Sequence, residues 1–385
     1  MTNQSKLFFL RAAVSVALLF SLNWASELSQ KGEFEQRYLW VVRNALTSKS
    51  SINQMINFAT LNRFNHILVQ VRGRGDAYYN SMIVPKSQLI NDANFDPLAY
   101  LIPRAKEKGI HVHAWVNTYL LWSSRSKPVQ DDHLLYSHPE WIDQNKQIQL
   151  NLSEEMQNFN SGKNGNEGFY LSPNHPKVNS YLLTVFRDLI ENYELDGLHL
   201  DYVRFHDSEY GHNPAAIAYF RKYNGMKAYP PEETFGVSEW NDHRRKAITD
   251  LVRETKNLIE TVRPGVELSA AVKPNLYQAR ERYFQEWDVW LAAGYLDKAV
   301  VMNYTKNLKE FADNIDIMYD NLPSKYRKKI VMGIATYNQP ADQVVDKVKY
   351  TRVTRFKGIS FFSYNVMAQN PQYFRLIKKI LYPRG

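Results

Sequence analysis

The sequence predicts an α/β fold, a (β/α)8 TIM barrel, on three observations. Eight short apolar, β-branched runs recur along the chain, and amphipathic helical patterns separate them. Two connections are too long for ordinary βα links, and both follow the C-terminal end of a strand, the face on which barrels build their sites. The 385 residues suffice for such a barrel with insertions. No repeat beyond the βα alternation and no low-complexity linker marks a second domain.

Taken in order, the strands are expected near 38–43 (YLWVVR), 66–72 (HILVQVR), 110–116 (IHVHAWV), 197–203 (GLHLDYV), 266–272 (VELSAAV), 298–303 (KAVVMN), 329–335 (KIVMGIA) and 357–362 (KGISFF). Among the helices, Asp96-Pro97 opens one that stops at Lys108-Gly109, a cap and a proline at the start and a glycine at the end. Pro176 opens another that runs to about Tyr193, and a last helix near 371–381 closes the barrel. The long connections are Asn117–His175 after strand three and Arg204–Ser238 after strand four, and they are expected to wall a cleft.

Ahead of the barrel, Lys6 and Arg11 precede an apolar run from Ala12 to about Leu22, with small residues near Ala25 and Ser26. The run is short for a stop-transfer helix, so residues 1–25 read as a cleaved signal peptide and 33–385 as the barrel domain. Periplasmic or secreted localisation follows, with no stable membrane span after cleavage. An uncleaved anchor is the alternative. The chain has no cysteine, which excludes disulfides, a thiol nucleophile and lipid attachment through an N-terminal cysteine.

Composition narrows the function classes. With 44% hydrophobic and 23% charged residues, the chain is neither collagen-like, disordered nor a multi-span membrane protein. The net charge is +9, but the basic residues are spread along amphipathic segments, so no nucleic-acid footprint is expected. Aromatics reach 14%, enough to fill a core and also to line a groove.

The stretch DGLHLDYVRF (196–205) concentrates charge in an apolar run. Strand side chains alternate, so His199 and Asp201 share a face opposite Leu198 and Leu200. The aliphatic face suits the helix layer, which turns His199 and Asp201 towards the barrel axis. Asp196 has the opposite parity and a glycine beside it, and reads as a turn at the barrel floor. Asp201 lies near the strand's C-terminal end, where a buried carboxylate is costly unless it works or is paired. An ion pair with Arg72 or Arg204 is its structural alternative.

This run resembles the signature of the glycosyl hydrolase-like 10 family, exported bacterial proteins with a barrel catalytic domain. Collinear matching pieces are VQVRGRGDAYYNS (69–81), AWVNTYLLW (114–122), SEWNDHRRKAITDLVRE (238–254), WDVWLAAGYLDKAVVMNYT (287–305) and GISFFSYN (358–365). More distantly, Asp196 to Asp201 resembles the fourth-strand pattern of α-amylase-type barrels, except that His199 stands where that pattern has Arg.

The resemblance implies a hydrolase, a glycosidase of carbohydrate metabolism that cleaves O-glycosyl bonds in the cell wall. It implies peptidoglycan glycan strands as the polysaccharide partner; no cofactor and no metal are expected. Asp201 is then the nucleophile or ion-stabilising carboxylate. A second carboxyl group must protonate the leaving oxygen, and strand five offers Lys273 in place of an acid. Asp76, just past strand two, is the expected proton donor, with Asp207, Glu209 and Glu239 as alternatives. Arg72, His113, Trp115, Asn117, His199, Arg204, Lys273, Asn303, Tyr304 and Tyr364 are the expected substrate-binding residues, with Trp115 or Tyr304 as a stacking platform.

Two rival readings belong to other classes. His113, His199 and Asp201 are a possible zinc set for a metal-dependent, deacetylase-like barrel hydrolase. The missing strand-five acid suggests a non-catalytic glycan-binding barrel. Residue spacing leaves oligomeric state, linkage and anomeric outcome open.

Overall fold

A computed structural model describes residues 34–146, 167–224, 234–354 and 356–382. The expected signal peptide at 1–25 lies outside the described residues. Eight parallel strands close into a barrel: β1 (Gln36–Val41), β2 (His66–Arg72), β3 (His111–Asn117), β6 (Gly197–Asp201), β7 (Glu267–Val272), β8 (Lys298–Met302), β9 (Ile330–Ala335) and β10 (Gly358–Phe362). Neighbours around the barrel are consecutive in the chain apart from the ribbon described next, and β1 pairs with β10 to shut the ring. All eight strands coincide with the expected runs to within two residues.

The remaining two strands lie in the first long connection, where β4 (Leu120–Trp122) and β5 (Phe169–Tyr170) form an antiparallel ribbon. The second connection carries the helix Pro214–Asn224 and runs into the long helix Thr234–Val262. The two insertions are tied together by buried polar groups. Asn213 Nδ2 donates to the carbonyls of Glu140 and Ile142, and the Asp143 carboxylate accepts from the Gly211 amide.

Apolar side chains divide into two bodies, as strand alternation requires. One lies between strands and helices and includes Leu198 and Leu200. The other fills the barrel axis and comprises Tyr38, Trp40, Leu68, Trp115, Ala271, Val300 and Val331. The helix starts follow local chemistry. The Asp96 carboxylate accepts from the amides of Leu98 and Ala99 ahead of the helix Pro97–Lys106, and Gly109 beyond its end has φ +66°. Among the described residues, no helix is long and apolar enough to cross a membrane.

At the floor, Asp196 joins β3 to β6. Its carboxylate accepts from the Val112 amide at 2.8 Å and meets His111 Nδ1 at 3.0 Å. Gly197 follows because no side chain fits there: a Cβ would lie 2.1 Å from His113 Nδ1. The first half of DGLHLDYVRF is thus packing and capping.

Candidate active site

A cavity of about 570 Å³ opens at the C-terminal mouth of the barrel. All eight barrel strands, or the residues just past them, contribute to its lining: Val42 and Arg43 after β1, Gln70 and Arg74 at β2, Asn117 at β3, Asp201 and Tyr202 at β6, and Lys273 after β7. Met302 and Tyr304 follow from β8, Tyr337 from β9 and Phe362 from β10. The first insertion adds Leu120, Ser123 and Glu167. A cavity of this size, with aromatic walls and a few converging polar groups, suits one or two sugar rings.

Asp201 sits at the cavity floor and is only 6% exposed. Its Oδ1 accepts from the Tyr202 amide at 2.7 Å, and Tyr202 holds a left-handed φ of 51°. That conformation is uncommon for a bulky residue and ends the strand directly after the acid. Burial pushes the Asp201 carboxyl up to about 6, against the pull of the Tyr202 amide and Arg204. Beneath it, His199 lies edge-on to Trp40 with centroids 4.9 Å apart and meets Ser269 Oγ at 2.9 Å. Burial lowers this imidazole to about 3, so it is neutral.

A second carboxylate arrives from the insertion. Arg204 Nη2 reaches both oxygens of Glu167, at 3.0 and 2.8 Å, and the Tyr170 hydroxyl donates to the same group. Burial alone would raise Glu167, but Arg204 and Tyr170 hold it down to about 2. Opposite, burial and the Arg204 charge lower Lys273 to about 8, and its ammonium lies 4.4 Å from the Tyr283 ring centroid. One cavity therefore holds a carboxyl group poised near neutrality and a firmly ionised one.

Of the expected site residues, Asp201, Trp115, Asn117, Arg204, Lys273 and Tyr304 line this cavity. Trp115 and Asn117 are linked, indole Nε1 to Oδ1 at 2.9 Å. The others are not brought to it. Asp76 is turned back to accept from the Arg74 amide at 3.0 Å, so the expected proton donor braces its loop. Arg72, expected to bind substrate, is displaced by a bulge: the β2–β3 register shifts between Gln70 and Arg72, so Gln70 lines the cavity and Arg72 does not. Its guanidinium is fully buried against the carbonyls of Asn117 and Thr118.

His113 lies lower in the barrel, with Nε2 2.9 Å from His66 Nδ1. His199 lies beneath Asp201 without reaching the lining. Asn303 faces the helix Leu308–Asn321, bonding the Phe311 carbonyl and Asn314. Tyr364 opens a helical turn past β10 and packs on Phe58, with centroids 5.3 Å apart. Among the alternative acids, Asp207 is ion-paired with Arg282 at 2.6 Å, and neither Glu209 nor Glu239 is among the lining residues.

Among the described residues, no group of three His, Cys, Asp or Glu side chains is placed to hold a metal ion. The suggested set is split by its own partners: His113 engages His66, and His199 engages Ser269.

Sequence reasoning missed Glu167, Arg43, Trp40 and Tyr337. Trp40 was within reach of strand parity, and Tyr337 lies just past β9 in the TYN that follows the seventh run. Glu167 sits inside a long insertion with no periodicity to place it.

Comparison with known proteins agrees with this architecture. The glycosyl hydrolase-like 10 family model matches residues 35–347. Glycosyl hydrolase DigH of Escherichia coli (strain K12) is 25% identical over 341 residues, covering 82% of this chain and 67% of that protein. Glycosyl hydrolase YngK of Bacillus subtilis (strain 168) is 22% identical over 264 residues, 66% of this chain, and the match spans only 43% of its length. In fold, the chain is similar to the PgaB (BpsB) glycoside hydrolase domain from Bordetella bronchiseptica, with a TM-score of 0.69 at 13% identity over 91% of this chain and 99% of that one. The catalytic domain of a β-amylase from Paenibacillus polymyxa aligns with a TM-score of 0.59 at 13% identity, over 92% and 99% of the two chains. With a barrel of this topology and a family model matched across most of its length, the chain belongs to the glycosyl hydrolase-like 10 family.

Proposed function

We propose that this protein is a glycoside hydrolase and that Asp201 is its proton-handling carboxyl group. The observation that carries the reading is the position of Asp201: on the floor of an aromatic-walled cavity, with burial pushing it up to about 6. A carboxyl group near neutrality can give a proton to a leaving oxygen and take one back, which an ordinary surface aspartate does poorly.

In this mechanism the glycosidic C–O bond breaks as Asp201 protonates the departing oxygen. Positive charge grows on the anomeric carbon and ring oxygen, and the ionised Glu167 stabilises it across the cavity. Water then bonds to the anomeric carbon and returns a proton to Asp201. The lone pairs of Glu167 are occupied by Arg204 and Tyr170, which suits a fixed negative charge better than a nucleophile. This assignment moves the proton donor from Asp76 to Asp201.

The finer substrate in this reading is a bacterial cell-wall glycan, with peptidoglycan glycan strands as the first choice, and the family resemblance is what supports it. Export, with residues 1–25 as the signal, belongs to the same reading, and fractionation of the native host tests it. For the activity, purified protein is incubated with intact sacculi, peptide-stripped glycan strands and α-glucans, and released fragments are identified by mass spectrometry. Fragments from the glycan strands are expected. No release from any of the three by folded protein would rule the reading out, and full loss of activity on chelation would favour the metal-dependent alternative.

A further inference from the structure

We propose that the cavity contains an anion subsite, built by Arg43 and Arg74, which binds a carboxylate carried by the glycan. The proposal rests on the glycosidase reading and names the chemistry of its substrate.

Among the described residues, the cavity lining holds more positive charge than its carboxylates balance. Four cations line it: Arg43, Arg74, Arg204 and Lys273. Arg204 is satisfied by Glu167. The other three face a single further carboxyl group, Asp201, which burial keeps partly protonated. Among the described residues, neither Arg43 nor Arg74 has a carboxylate within ion-pair distance. The Arg43 guanidinium donates to Gln70 Oε1 at 2.9 Å, and Arg74 Nε donates to Ser123 Oγ at 3.0 Å. These neutral acceptors orient the two groups, and the nearby Asp76 carboxylate, bound to the Arg74 amide, offsets part of the Arg74 charge without forming an ion pair with its guanidinium.

The two guanidinium groups are also close enough to repel each other. Burial and then the Arg43 charge lower the pKa of Arg74. The chain is shaped to permit this crowding. At Gly73 an added Cβ would lie 2.6 Å from Arg43 Cδ, so a side chain there would push Arg43 out of its place over the strand end. Asp76 then pins the Arg74 amide, fixing the direction from which its side chain enters. The segment Gly73-Arg-Gly-Asp76 thus makes room for Arg43 and presents Arg74 to the same cavity. A pair of orientated guanidinium groups in a part-buried site matches the two oxygens of a carboxylate. A neutral glycan would leave the repulsion in place.

The test uses two oligosaccharides that alternate N-acetylglucosamine with N-acetylmuramic acid, one with free lactyl carboxylates and one with each converted to its methylamide. Binding is followed by indole fluorescence and cleavage by released reducing ends. The wild type should bind and cleave the carboxylate form better by about ten- to a hundredfold, the range that charge-assisted hydrogen bonds supply. In the double variant Arg43→Gln/Arg74→Gln that ratio should fall towards one, and Arg74→Lys should retain part of it. Unfolding curves check that the variants are folded.

Equal handling of the two forms by the wild type would overturn the proposal, as would a preference that survives in the double variant. Selective binding of the carboxylate form without cleavage of either would sustain the subsite and defeat the glycosidase reading. The two failures are therefore distinguishable.

Discussion

Arg204 and Glu167 form a fork across the cavity wall, with one guanidinium nitrogen on both carboxylate oxygens. The Arg204 side chain is 4% exposed and that of Glu167 34%, so the pair is only partly screened by solvent. Arg204→Gln should destabilise the protein by about 1–2 kcal/mol, read by urea unfolding, because a part-buried anion loses its charged partner while solvent screens part of the loss. The pH dependence carries a sign. Glu167 is lowered in the folded state, so its contribution is complete above about pH 4.5 and disappears as the pH falls towards 2. Arg204→Gln should remove that acid limb.

Asp201 carries the opposite linkage. Its folded pKa is raised to about 6 from an ordinary 3.8, so folding binds a proton between those values and stability falls as the pH rises through them. Asp201→Asn should therefore raise stability at pH 8 by about 1–3 kcal/mol and change it little at pH 4, read by thermal unfolding at both. The same substitution should abolish turnover. A site residue that costs stability is the expected signature of a group kept for chemistry.

Gly197→Ala tests the floor of the barrel. The new methyl group meets His113 Nδ1 at 2.1 Å and the Glu267 carbonyl at 2.9 Å, and neither the strand backbone nor the fully enclosed ring has room to retreat. A loss of about 3 kcal/mol is expected from denaturant curves. Asp196→Ala should also destabilise, because it strands the Val112 amide.

Tyr337 stands at the rim with 55% of its surface exposed, 6.0 Å from the Phe362 ring centroid. As a stacking wall it contributes to sugar binding but little to the fold. Tyr337→Ala should raise KM about three- to tenfold, the scale of one aromatic contact, and leave the melting temperature nearly unchanged.

The barrel was legible in the sequence because each strand buries both faces and therefore reads as an apolar run with turn signals on either side. Parity then placed Asp201 and His199 on the axis and Asp196 on the floor. Parity failed at Arg72, where a bulge invisible to composition carried the side chain to the outer layer. It could not place Asp76, whose loop folds back on the Arg74 amide. Glu167 was out of reach for another reason: the insertion brings it to the cavity through pairing of β4 with β5 and through Arg204, contacts that no local pattern encodes.

In the proposed mechanism Asp201 transfers the proton in glycosidic cleavage. The most direct measurement is kcat/KM against pH on peptide-stripped glycan strands, for the wild type and Asp201→Asn. The wild-type profile should show a limb near pH 6, and the Asn variant should be at least about a thousandfold slower across the range, as loss of an acid–base group requires. A folded Asp201→Asn variant that cleaves at a rate within tenfold of the wild type would contradict it.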